Sequence, residues 1–415
     1  MTALSDALAQ VTSLLAEPDA ELARRYPGAP VTRQPIHSVY VPATAFDDAT
    51  IVSWGSAALE SLTAAGGARA LLDVHGLLPA GAERDRVAEL VVAKLQREPI
   101  EDLRIDLEDG LGDIGDAAED AAVDAAVASL GRLQHRGELP PFVGIRFKCL
   151  EAATRRRGLR SLERFVRGLH SGAGLPQGLV LTLPKVTSVA QVEAMVLVLE
   201  ALEHELRLAA GALTFEIQVE TPQAILGPDG VSLLPRMITA GRGRVTGMPY
   251  GAYDYSASLG LAPGDQSMEH PAADHAKAVM QVAVAGTAVR VSDGSTNRVP
   301  VGEQAAVDAA WALHGRLVTR SLHRGFYQGW DLHPAQLPSR FAATYAFFRT
   351  GLADITRRLE SYLARGEGDV MDEPATARAM ASFLVRGLDC GAVAAEEIPF
   401  DADELRAMLV LPTPA

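Results

Sequence analysis

Cysteine is nearly absent from this chain. Cys149 and Cys390 are the only two in 415 residues, far apart and in no metal-ligand spacing, which excludes a disulfide framework and a thiolate zinc site. Basic charge is also scarce, with 38 Lys and Arg against 52 Asp and Glu for a formal net charge of -14. Nucleic acid and anionic membrane surfaces demand basic patches, so neither is an expected partner. No uninterrupted apolar run reaches membrane-spanning length. The opening Met1-Thr-Ala-Leu-Ser-Asp6 has no basic stretch, and Glu17, Asp19 and Glu21 break the apolar run that follows. A signal peptide is therefore not expected, and a cytoplasmic protein is. A glycine-rich dinucleotide fingerprint after the first strand is missing as well.

What is present is a chain that can bury a large core, 48% hydrophobic by composition. Apolar runs bounded by turn residues predict eight short strands at 37–41, 103–107, 142–147, 178–183, 213–219, 244–248, 288–291 and 329–332. Stretches of helical spacing separate them, at 83–96, 116–134, 162–170, 189–209, 232–240, 269–285 and 302–324. Eight β/α units without the dinucleotide fingerprint predict a closed parallel (β/α)8 TIM barrel over residues 1–340. About forty residues after Val41 lack a clear helix, a length that predicts a capping insertion after the first strand. A long helix at 338–365, a Gly366-Glu-Gly-Asp369 linker and a helix starting near Pro374 predict a C-terminal helical extension over 341–415. That extension is expected over the barrel mouth or on a neighbouring subunit.

Barrel enzymes place their chemistry at the C-terminal ends of the strands. In this chain those ends carry Asp106, Glu108 and Asp109, then Arg146, Lys185, Glu220, Asp254, Asp293 and His333. Generic loops favour Ser, Asn and Gly, so acids, one Arg, one Lys and one His in these places point to a shared site. Glu220 and Asp254 each close an apolar strand-like run. Two such carboxylates suit a hard divalent cation, Mg²⁺ with Mn²⁺ as the alternative, whose other positions go to water and substrate oxygens. Asp106 and Glu108 share a face of an extended strand end and Asp109 points away, unless the turn has begun. Lys185 invites a Schiff-base reading, but metal ligands solve the same problem, and a structural pairing with Glu108 is expected instead. His333, ahead of Pro334, serves either substrate contact or barrel closure.

With those residues in place, the chain resembles the HpcH/HpaI aldolase and citrate lyase beta-subunit-like superfamily of phosphoenolpyruvate/pyruvate-binding barrels. The matching segments are Ser38-Val-Tyr-Val-Pro42, Ile105-Asp-Leu-Glu-Asp-Gly110, Gly144-Ile-Arg146, Leu183-Pro-Lys-Val186, Val219-Glu-Thr221, Tyr250-Gly-Ala-Tyr-Asp254, Ser292-Asp-Gly294 and Leu332-His-Pro-Ala-Gln336. The resemblance implies that Glu220 and Asp254 ligate Mg²⁺, that Arg146 faces the substrate, and that a carbon–carbon bond next to a carbonyl is made or broken. It also implies a homo-oligomer, trimer or hexamer. One departure is Arg146-Phe-Lys148, where family lyases often read Arg-x-Asn. Met371-Asp-Glu-Pro-Ala-Thr-Ala377 looks like the Met-Glu-Asp-x-Ala-Thr stretch of malate synthases, in which the Asp is the base, so Asp372 or Glu373 inherits that role.

The expected activity is thus that of a Mg²⁺-dependent lyase or Claisen-type enzyme working through a metal-stabilised enolate. The expected substrate is a small anionic oxo-acid, hydroxy-oxo acid or acyl-CoA. Arg146 would pair with the substrate carboxylate or the enolate oxygen, with Asp106, Lys185 and His333 as further substrate contacts. Glu108 and Asp109 would join Asp372 or Glu373 in the catalytic set. Hydrolysis of a related thioester, and a non-catalytic oxo-acid-binding barrel, are the alternatives.

Overall fold

A computed structural model describes residues 3–28, 30–78, 80–364 and 373–410 of the chain. Eight parallel strands form one sheet: β1 His37–Pro42, β2 Asp102–Asp106, β3 Phe142–Arg146, β4 Leu179–Leu183, β5 Phe215–Ile217, β6 Val245–Pro249, β7 Arg290–Ser292 and β8 Gly329–Asp331. Their order, β7-β6-β5-β4-β3-β2-β1-β8, is that of a TIM barrel read around the ring. Backbone bonds from Asp293 N to the Gln328 carbonyl (2.9 Å) and from Trp330 N to the Gly294 carbonyl (3.2 Å) join the end of β7 to β8. All eight expected strands are present, with bounds shifted by a residue or two.

Alternation along each strand sorts the side chains. On β2, Leu103 and Ile105 face the surrounding helices and belong to the apolar core, while Asp102, Arg104 and Asp106 face the barrel axis. Arg104 pairs with Asp102 and reaches Thr182 and Glu216 on β4 and β5, at 3.3 Å each. The axis is therefore filled by a charged layer. Gly144 on β3 is a packing requirement, because a Cβ there would lie 1.6 Å from the Val180 carbonyl oxygen.

The insertion after β1 consists of the helices Thr50–Ala64 and Gly67–His75. The helix Leu337–Leu363 follows β8 and packs on Ala82–Arg97 and Gln304–His323 as a member of the outer ring; the expected boundary at residue 340 falls inside it. The helix Pro374–Cys390 returns antiparallel to it, with the rings of Phe348 and Phe383 tilted against each other (4.9 Å between centroids) and Tyr345 Oη donating to the Cys390 carbonyl (2.9 Å). An N-terminal helix, α1 (Ala3–Arg25), precedes the barrel and has no counterpart among the expected helices. Among the described residues, no helix is long and apolar enough to cross a membrane.

Candidate functional site at the strand ends

The loop after β2 folds around its own first acid. Asp106 Oδ1 and Oδ2 accept from the Glu108 and Gly110 amides (3.0 and 2.8 Å) and from Arg146 Nε and Nη2 (2.8 and 2.5 Å). Gly110 is required because a Cβ there would sit 2.4 Å from Asp106 Oδ2. Asp106 is thus a brace for Arg146, which lies 3% exposed with its guanidinium over the rings of Tyr40 and Trp330 (4.9 and 5.3 Å to the centroids). Only Arg146 Nη1 is left without a close partner, 3.4 Å from Glu108 Oε2.

Because the turn begins at Leu107, Asp109 does not point away from Glu108. Both converge on Lys185, whose Nζ lies 2.7 Å from Glu108 Oε1, 2.7 Å from Asp109 Oδ2 and 3.6 Å from Asp254 Oδ1. Pro184 ends β4 and Lys185 follows with φ +51°, a left-handed conformation that costs energy in a non-glycine residue and clusters at functional sites. It aims the Lys185 amide at Glu220 Oε1, 2.7 Å away. Burial alone would lower the Lys185 ammonium, but Glu220, Glu108 and Asp109 outweigh it and hold the pKa above its ordinary value. An ammonium held this firmly is a poor imine-forming amine, which agrees with its expected pairing to Glu108.

Glu220 lies just past β5, after the isolated bridge between Val219 and Tyr250, and is 1% exposed. Its motif partner Gly251 has no Cβ, and one there would lie 2.5 Å from Glu220 Cβ. Burial pushes the Glu220 carboxyl up to about 8; Lys185 opposes the shift and the Asp254 charge adds to it. Asp254 stands in the first turn of the short helix Ala252–Ser258, so it arrives on a helix and not on the strand end itself. Gln218, two residues before Glu220 on the same face, donates to Glu220 Oε2 and leaves its own buried Oε1 without a partner. Sequence reasoning missed Gln218, although the alternation Glu216, Gln218, Glu220 marks it as facing the axis.

An orphaned buried oxygen, an excess of carboxylates and a Glu that resists ionisation are what a hard cation would relieve, so this donor set fits a divalent metal. Among the described residues, no group of three or more His, Cys, Asp or Glu side chains is gathered to hold an ion. Two carboxylates with water and substrate oxygens would have to suffice.

Other expected residues fall elsewhere. His333 caps the 3-10 turn Pro334–Gln336 by accepting from the Ala335 amide at 3.1 Å. Asp293 is drawn into a buried pair with Lys277 (2.9 Å) and a bond from Ser321 (2.6 Å). Lys148 does not face the mouth as an amide substitute. Its Nζ donates to the Leu107 and Gly112 carbonyls (2.7 and 2.8 Å) and pairs with Glu119 (2.9 Å), which pins the loop carrying Glu108 and Asp109. Asp372 lies outside the described residues. Glu373 begins the helix whose far end, at Cys390, abuts the foot of the barrel, where Gly391 lies against Arg97. Seventeen helical residues carry Glu373 about 25 Å beyond that foot, so its own chain does not bring it to the mouth. A cleft of about 770 Å³ also opens at the foot, lined by Arg33, Glu98, Pro99, Leu139 and Pro141, away from the strand ends.

Comparison with solved structures gives Haloferax volcanii malate synthase in its magnesium/glyoxylate complex, 14% identical, covering 90% of this chain and 88% of that one at a TM-score of 0.52. The same enzyme, native at 3 mM glyoxylate, is 16% identical, with coverage of 91% and 99% and a TM-score of 0.51. CitE from Mycobacterium tuberculosis, with magnesium, acetoacetate and coenzyme A, is 17% identical, with coverage of 86% and 99% and a TM-score of 0.48. The malate synthase barrel bears out the resemblance read from the motifs, at the level of the fold. No curated protein matches the chain. A family model matches residues 15–410, nearly the whole chain, and through it this protein belongs to the family described as Domain of unknown function (DUF6986).

Proposed function

We propose that this chain is a Mg²⁺-dependent carbon–carbon lyase or Claisen-type enzyme acting on a hydroxyacyl-CoA or hydroxy-oxo acid. The observation that carries the reading is the convergence of Glu220, Asp254, Glu108, Asp109, Lys185 and Arg146 at the C-terminal end of one barrel. The shared barrel with a malate synthase solved with magnesium and glyoxylate supports it by analogy of fold.

Glu220 and Asp254 would hold the cation, with Gln218 orienting Glu220. When bound, a divalent cation supplies Lewis-acid polarisation of a carbonyl oxygen and a template for an oxo-acid. The rest is the work of the chain. Asp106 fixes the plane of Arg146 by a two-point grip, leaving Nη1 to meet a substrate carboxylate or the negative charge that develops on the carbonyl oxygen. Lys185, charged throughout, adds a second positive centre and holds Asp109, which its hydrogen bond keeps ionised against the effect of burial. Burial pushes the Glu108 carboxyl up even though Arg146 and Lys185 oppose it, so Glu108 is the mouth group suited to hold and release a proton. Glu373 could serve as base only at the mouth of a neighbouring subunit.

The test is turnover of malyl-CoA, citramalyl-CoA and free hydroxy-oxo acids with Mg²⁺, with products identified by mass spectrometry. The expected result is metal-dependent cleavage that Arg146→Lys lowers at least about 100-fold, because a point charge cannot replace a planar fork. Release of free coenzyme A without carbon–carbon cleavage would move the reading to a thioester hydrolase. Binding without turnover would leave an oxo-acid-binding barrel.

A further inference from the structure

Arg104, Arg146, Arg244 and Arg340 are buried, and each lies against a carboxylate. Arg290, at the start of β7, and Arg386, on the helix Pro374–Cys390, are partly buried and lie against none. Both line one small recess at the foot of the barrel, together with Thr32, Gln34, Ser382 and Asp389. Their contacts there are with neutral groups. Arg290 Nη2 donates to Thr32 Oγ1 and to the Thr32 carbonyl (2.5 and 3.2 Å), with its guanidinium over the Phe142 ring (5.7 Å). Arg386 Nη1 donates to Gln34 Oε1 (2.5 Å) and Nε to Ser382 Oγ (3.4 Å), with the guanidinium over the Tyr327 ring (4.4 Å). Among the described residues, Arg290 Nε and Nη1 and Arg386 Nη2 meet no acceptor. The carboxylate of the recess, Asp389, is engaged by Arg406, whose own buried Nη1 is left without a partner. Three guanidinium groups are thus set against one carboxylate, in a chain whose formal net charge is -14.

We propose that this recess is a phosphoryl-binding site, in which Arg290 and Arg386 together hold a phosphate or the phosphoryl end of a small metabolite. A charge taken from water without a counter-charge is costly, and an oxyanion bound here removes that cost. Burial lowers the pKa of both arginines, and the Arg386 charge lowers that of Arg290 further, which is the mark of cations short of an anion. A planar carboxylate is saturated by one guanidinium fork. Two forks arriving from different elements suit a tetrahedral head that offers oxygens to each. The anion would join β7 to the C-terminal helix and to the Thr32–Gln34 segment between them, so it would pin that helix to the barrel. The site lies at the end opposite Glu220 and Arg146 and stands independently of the reading of the mouth.

Calorimetric titration of the full chain with inorganic phosphate, at constant ionic strength, tests this. Wild type should bind saturably, and Arg290→Gln and Arg386→Gln should each weaken binding at least about 10-fold, while Arg236→Gln, an exposed pair with Asp229, leaves it unchanged. Hydrogen exchange of the wild type keeps the test open even if the variants misfold: phosphate should slow exchange at 31–36 and 380–391. Glycerol 3-phosphate binding tighter than inorganic phosphate would mark a phosphorylated metabolite as the source, and weaker or equal binding would mark free phosphate. The proposal is overturned by wild type that does not saturate, by affinity that survives both substitutions, by protection confined to the strand ends at the mouth, or by acetate binding as tightly as phosphate.

Discussion

Asp331 and Glu220 are both carboxylates shut away from water, 0% and 1% exposed, and their environments drive them in opposite directions. Asp331, on β8 but facing the helices, is gripped by Arg340 Nη2 (2.9 Å), His37 Nδ1 (2.8 Å) and His314 Nε2 (3.1 Å). Burial alone would raise its pKa, but Arg340 and the two imidazoles carry it well below the usual carboxylate range. Glu220, on the axis side of the mouth, has Lys185 and Arg146 set against Asp254 and Glu108, and burial pushes it up to about 8. A buried acid that the fold has fully matched is structural. One whose burial its positive neighbours do not offset is where a ligand is expected.

The contrast can be broken most strongly at Asp331. Asp331→Asn should cost about 3–5 kcal/mol, because it strands the buried Arg340. Urea unfolding would measure this, and a loss under 1 kcal/mol would make the network incidental. Glu220→Gln should do the reverse, lowering Mg²⁺ affinity and turnover at least about 100-fold with the fold retained. Calorimetric titration of the metal together with the melting temperature separates the two effects, and loss of the fold in place of the metal would undo the comparison.

A smaller effect follows from titration. Since the folded pKa of Glu220 is raised from 4.5 to about 8, its contribution to stability is present below about 4.5 and is lost as pH rises through about 8. Metal-free protein should therefore lose stability across that window, and Glu220→Gln should flatten the decline. Mg²⁺ affinity should rise with pH up to about 8, by about tenfold per unit if one proton is released; a pH-independent affinity would be inconsistent with a protonated Glu220. The smallest expected change is at Lys185. Its ammonium sits among the same carboxylates a cation would use, so Lys185→Met should tighten Mg²⁺ binding by about tenfold at pH 8.5, and weaker binding would mean that Lys185 supports the metal site instead of competing for it.

The ring of eight strands and the placing of Glu108, Arg146, Lys185, Glu220 and Asp254 at one end of it were legible from the sequence, because strand period, breakers and strand-end chemistry are local. The expected pairing of Lys185 with Glu108 belongs with them. What each side chain meets was not legible, because it depends on distances between elements 16 to 76 residues apart in the chain. Only the tertiary structure decided that Arg146 is held by Asp106, that Asp109 turns back to Lys185, that Asp293 leaves the mouth for Lys277, and that Lys148 ties down a loop. It also decided that Glu373 lies beyond the foot of its own barrel, since the direction of a returning helix follows from which apolar faces meet, here Phe383 on Phe348, and not from the motif at its start.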